Sequence, residues 1–207
     1  MKEVFHSPAF IKLRKAIGVL IPLAFAVYNG VLGFLHSTIW NISIFGYYLL
    51  LFFIKLLLTV SDSVIGPDKA LQRRKIYIVS FVILLIINLA LVAPGVFLIR
   101  NQKIVKADLI ISIIMAVYAF YSVSISIYNL VKVNKTDNLL NKQLTLVSFV
   151  NAIVSIIVLQ NTLINVNGGM DEEMKTLSSV TTFTFIAILI FITIFSFVKN
   201  MKKEQSL

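Results

Sequence analysis

The chain has 207 residues, 58% of them hydrophobic and 14% charged, with a net charge of +10 and no cysteine. A soluble domain cannot cover that much apolar surface with so few charges. The missing cysteine excludes disulfides, thiol catalysis and thiolate metal sites.

The apolar residues form six blocks, at 16–36, 43–61, 76–99, 109–131, 144–165 and 177–198. A bilayer core about 30 Å thick needs about 20 apolar residues per helix, so each block predicts one transmembrane helix. The expected fold is all-α: an integral membrane bundle of six transmembrane helices, with residues 1–207 forming a single transmembrane helical domain.

Ser7-Pro8 resembles an N-cap followed by proline at the first helical position, so the first helix is expected to begin before the bilayer. Lys12, Arg14 and Lys15 followed by Ala24-Phe25-Ala26 imitate a cleavable signal peptide, but the apolar run continues to Leu35 and favours a retained helix. Asn29 shares a face with Pro22, Ala26, Gly33 and His36. In the second block, Trp40 and Tyr47 suit an outer aromatic belt.

Lys55 is the one charged side chain well inside a block, about six residues or roughly 9 Å from its end. A charge at that depth needs water, a partner or headgroups. Its long stem can snorkel to the headgroups. Alternatively it faces the bundle, as a cation for an anionic ligand or a structural partner. Tyr48, Phe52, Lys55, Thr59 and Asp62 share one helix face, which makes Asp62 a candidate counter-ion.

Pro67-Asp68 is expected to open the third helix. Asn88 lies about 18 Å along it, near the midplane, and Pro94-Gly95 should kink its far end. Tyr77 and Tyr128 suit an inner aromatic belt, whereas Tyr118 and Tyr121 lie deeper and can bond within the bundle. The fourth helix carries Asp108, Ser112, Met115, Ala119, Ser122, Ser126 and Asn129 at alternating steps of four and three. The fifth, capped by Thr136 or Asp137 and ended by Gly168-Gly169, carries Ser148, Asn151, Ser155, Val158, Thr162 and Asn165 on the same rhythm. The sixth, opened by Asp171, Glu172 and Glu173, repeats it with Ser179, Thr182, Ile186, Leu189, Thr193 and Ser196. Small and polar residues at this period form a packing seam for left-handed bundles or line a polar cavity. A faint repeat pairs Tyr47…Lys55 with Tyr121…Asn129.

Lysine and arginine are divided unevenly. The amino-terminal arm, the second and fourth connections and the carboxyl tail carry 14, against four in the third and fifth connections. The positive-inside rule therefore predicts both termini in the cytoplasm. The same placement, at the ends of apolar blocks, assigns the net charge to lipid headgroups and excludes nucleic acid as a partner.

Catalytic motifs are absent. His6 and His36 lack metal-ligand spacing, and no H-E-x-x-H, G-x-S-x-G or glycine-rich phosphate loop occurs. No enzyme activity and no cofactor are expected. Asn29, Tyr48, Lys55, Asn88, Asn129 and Asn151 are the candidate intramembrane binding residues.

Tyr28-Asn29-Gly30-Val31-Leu32-Gly33, Tyr47-Tyr48 followed by Lys55, Tyr121 to Asn129, and Leu159-Gln160-Asn161-Thr162 before an acidic loop resemble an uncharacterised family of small multi-pass membrane proteins of Gram-positive bacteria. That resemblance implies a membrane bundle and no particular activity. Size and helix count also resemble the substrate-binding subunits of energy-coupling-factor vitamin transporters. Their A-x-x-x-A packing motif is missing, since Ala24 and Ala26, and Ala90 and Ala93, are wrongly spaced. The leading reading is a small-solute transporter or channel-like module, followed by an accessory or regulatory subunit with a membrane-protein partner or a second copy of itself; a membrane enzyme acting on lipids comes last, because it requires a cluster of titratable groups that the sequence does not show.

Overall fold

The computed structural model describes residues 8–66, 68–100, 109–133, 138–166 and 172–205. These form α1 (Pro8–His36), α2 (Ile39–Val64), α3 (Ala70–Ala90), α4 (Val92–Arg100), α5 (Leu109–Val133), α6 (Leu139–Val166) and α7 (Glu172–Gln205). Among the described residues, six spans are long and apolar enough to cross a membrane, one of them being Ala70–Val96 across the α3–α4 junction. The chain is a multi-pass α-helical membrane protein. Ser7, Pro67, Asp108, Thr136, Asp137, Gly168, Gly169 and Asp171, singled out in the sequence, lie outside the described residues.

Local signals explain the helix ends. The helix is interrupted at Leu91, between α3 and α4, three residues before Pro94. Pro94 has no N–H to donate to the Ala90 carbonyl four residues back, so the regular ladder cannot cross this point. Asp68 does not cap α3; Lys69 stands at that position, without a side-chain cap bond. Asn138 caps α6, its Oδ1 accepting from the Asn141 N–H at 3.2 Å. Between α1 and α2 the Thr38 N–H donates to Gly33 O at 3.1 Å, while Ser37 takes a φ of 51°. This is the left-handed helix ending usually given to glycine.

Helix α6 is the hub. It packs on α2, α3, α5 and α7, while α1 rests mainly on α2. Accordingly 61% of the α6 span is buried, against 17% for α5 at the periphery. Lipid supplies little hydrophobic drive between helices, so close approach and polar bonds matter more. The predicted seams behave in this way. Ser112, Met115, Ala119, Ser122 and Ser126 of α5 are buried, as are Thr182, Ile186, Leu189 and Thr193 of α7. Helix α6 is buried nearly all round, so its seam is one face of a core helix.

Three aromatic placements differ from expectation. Trp40, Tyr47 and Tyr77 are buried in the core and do not form interfacial belts. Tyr77 accepts from Asn200 Nδ2 at 3.2 Å and stacks on Phe197. Tyr128 is 63% exposed and lies along the cleft described below. The faint repeat is not reproduced, because Tyr47 is buried and Tyr121 is 62% exposed.

Candidate functional site

Four helices frame a cleft of about 430 Å³ at the end of the bundle where α1 starts and α2 ends. Helix α2 contributes Lys55 and Thr59, α6 contributes Asn141, Thr145, Ser148 and Asn151, and α1 contributes Ile17, Gly18 and Ile21. The α5 wall is a polar stripe of Tyr118, Ser122, Asn129 and Lys132, about 21 Å long at 1.5 Å per residue. Above the cleft, Phe25 of α1 lies between Tyr118 and Tyr48, with ring centroids 4.8 and 5.4 Å away.

Lys55 faces the bundle. It is 4% exposed, which sets aside the snorkelling alternative. Its ammonium donates to the Gly18 carbonyl at 3.1 Å. The reason is local to α1: residue 22, four positions on, is proline and offers no N–H to that carbonyl. A lysine ammonium has three donors, and Gly18 O is its single acceptor among the described residues. Asp62 is not its counter-ion. Arg73 Nη2 holds Asp62 at 2.7 Å and also donates to Asn138 Oδ1 at 2.8 Å, while Arg73 Nη1 donates to Ile65 O at 2.7 Å. That cluster ties the α2–α3 connection to the start of α6.

The lining carries two lysines, Lys55 and Lys132, and no carboxylate among the described residues. Two buried polar atoms in the wall, Thr59 Oγ1 and Asn151 Oδ1, have no hydrogen-bond partner among the described residues. Buried polar atoms are normally satisfied, so each costs stability where it stands. The site therefore offers a cation with free donors, a hydroxyl and an amide oxygen within one partly enclosed volume.

The six predicted residues divide into three groups. Lys55, Asn129 and Asn151 line the cleft. Tyr48 sits behind it, its hydroxyl 3.3 Å from Ser155 Oγ. Asn29 and Asn88 lie elsewhere. Asn29 donates to Phe25 O of its own helix at 2.9 Å. Asn88 bridges helices, accepting from Tyr47 at 3.3 Å and donating to Thr193 at 3.1 Å. Asn151 also donates to Tyr118 at 3.0 Å, as a deep tyrosine should allow. Sequence analysis missed Lys132, although it lies three residues after Asn129, close to the same helix face. Gln143, outside the cleft lining, is 1% exposed with neither amide atom partnered among the described residues. Lys142, assigned by sequence to a connection, is part of α6 and 6% exposed.

No family model, no curated protein and no solved structure matches this chain.

Proposed function

We propose that the protein is a non-enzymatic binding module of the bacterial cytoplasmic membrane that holds a small anion in this cleft, as a transporter or channel-like protein does. The carrying observation is Lys55: a buried ammonium, with donors to spare, in a cleft whose described lining holds a second lysine and no carboxylate. A buried charge without an opposite charge is costly, and a bound anion offsets that cost. The alternative, an accessory subunit, leads one to expect a closed bundle, and the cleft speaks for the first reading.

The test is thermal unfolding in nanodiscs of zwitterionic lipid against a panel of anions, some bearing hydrocarbon tails and some not. At least one anion should raise the midpoint saturably, by about 2.7 kcal/mol of stabilisation at a hundred times its Kd. Lys55→Gln should abolish the rise and Lys55→Arg retain most of it. No response to any anion, or an equal response in Lys55→Gln, overturns the proposal. A stoichiometric protein partner retained from the native membrane in its place would favour the accessory reading.

A further inference from the structure

We infer that the cleft takes an amphiphilic anion from the lipid phase: an oxyanion head, carboxylate or phosphate, on a hydrocarbon tail lying between α1 and α5. This rests on the anion-binding reading above and adds the class of ligand and its route.

The packing leaves one side of the cleft unsealed. Helix α1 packs on α2, α5 packs on α6, and α2 packs on α6, but α1 and α5 are not among the closely packed pairs. Their described meeting point is the Phe25–Tyr118 ring contact at the roof. Below it the rim is apolar and open, with Ile17 49%, Tyr121 62% and Ile125 37% exposed. These residues belong to the membrane spans Ile17–His36 and Ser112–Val133. An opening flanked by such segments faces acyl chains, because water is disfavoured at that depth.

The interior has the opposite character. Among the described residues Lys55 keeps free donors and the Thr59 hydroxyl is an unpartnered donor, and exposed Lys132 marks the polar end. A tail in the α1–α5 gap, joined to an oxyanion on Lys55, fills both halves with one molecule. A tailless anion would satisfy the lysines and leave the lateral gap to an unrelated lipid chain. The cleft volume of about 430 Å³ suits a head and its first few carbons, with the remaining tail outside in the bilayer.

The experiment compares dodecyl phosphate, inorganic phosphate and dodecyltrimethylammonium on the full-length protein in zwitterionic nanodiscs, with the unfolding midpoint as readout. Dodecyl phosphate should raise the midpoint saturably, while the tailless phosphate and the cationic amphiphile leave it unchanged. Lys55→Gln should weaken dodecyl phosphate binding about tenfold or more, the scale of a lost charge-assisted hydrogen bond. Lys132→Gln, at an exposed position, should weaken it about two- to fivefold. If Lys55→Gln fails to fold, the three-probe comparison on the unmodified protein and the Lys132→Gln series still decide. Equal stabilisation by inorganic and dodecyl phosphate overturns the amphiphile inference and leaves the anion site standing. Equal stabilisation by both amphiphiles, or dodecyl phosphate binding indifferent to both substitutions, also overturns it, as plain partitioning into lipid. No response to any anion overturns both this inference and the reading beneath it.

Discussion

The Lys55 ammonium and the Gly18 carbonyl, 3.1 Å apart, join α2 to α1 at the one carbonyl whose helical donor is removed by Pro22. The proline and the lysine, 33 positions apart in sequence, thus form a single device. The net effect of Lys55→Met is the difference between a lost bond and a relieved buried charge. A double-mutant cycle isolates the bond. Pro22→Ala returns an N–H to Gly18 O, so Lys55→Met should cost about 1 kcal/mol less in that background. Additive effects in thermal or denaturant unfolding would disprove the link.

Two glycines should respond oppositely to alanine. A Cβ at Gly33 would lie 2.9 Å from the Ile42 backbone N and 3.2 Å from the Asn41 carbonyl carbon, where α1 turns into α2. Backbone cannot swing aside as a side-chain end can, so Gly33→Ala should cost about 1–3 kcal/mol, in the range of overpacking. At Gly46 nothing lies within 4 Å of the added atom. Gly46→Ala should be neutral or stabilise by up to about 1 kcal/mol, from the intrinsic helix preference. Unfolding midpoints of the two variants, measured in the same nanodisc, check the contrast.

Asn88 is wholly buried and bonded to Tyr47 of α2 and Thr193 of α7. Interhelical side-chain hydrogen bonds in membranes average about 0.6 kcal/mol and reach about 1.7. Asn88→Leu should therefore destabilise by about 1–2 kcal/mol, with Tyr47→Phe and Thr193→Val each costing less. Ligand binding at the cleft should not change, because none of the three residues lines it. A loss of binding at unchanged stability would mean that Asn88 belongs to the functional machinery.

The Arg73–Asp62 pair is well covered, with side chains 13% and 11% exposed. Removing Asp62 takes the carboxylate from Arg73 and the acceptor from the Asn138 amide. Asp62→Ala should cost about 1–2 kcal/mol, below the range for fully buried pairs because the site is at a helix end. Hydrogen exchange should rise at the start of α6, around Asn141, whose N–H depends on the Asn138 cap. Unchanged exchange there would show that Asp62 does not hold the connection.

Charge distribution predicts membrane orientation. On this cysteine-free chain, Asn167→Cys should react with an impermeant thiol reagent added outside intact cells, and Asn134→Cys should not. The opposite labelling pattern would invert the topology.

The helices were legible because a bilayer imposes a length and a polarity that one strand of sequence can satisfy alone. Apolar blocks of about 20 residues are a local property, and so is the break near Pro94. The seams of α5 and α7 were also legible, since a rhythm of three and four places residues on one face whatever that face meets. What a face meets is not local. The sequence cannot distinguish Asn88, which ends in a closed trio with Tyr47 and Thr193, from Asn151, which ends on a cleft with an unpartnered oxygen. The same limit hid Arg73 as the partner of Asp62, because their pairing depends on how the α2–α3 connection folds back.

By itself, then, the sequence determined a membrane-spanning all-helical chain, the approximate position of its spans and a lone charge within one of them. These follow from hydrophobicity and periodicity, which act along the chain. Only the tertiary structure decided that Lys55 turns inward to the carbonyl that Pro22 vacates, and that α1 and α5 stand apart enough to leave a cleft beside it. Both depend on which helices lie side by side, and that is settled by side-chain fit and polar bonding between segments far apart in sequence.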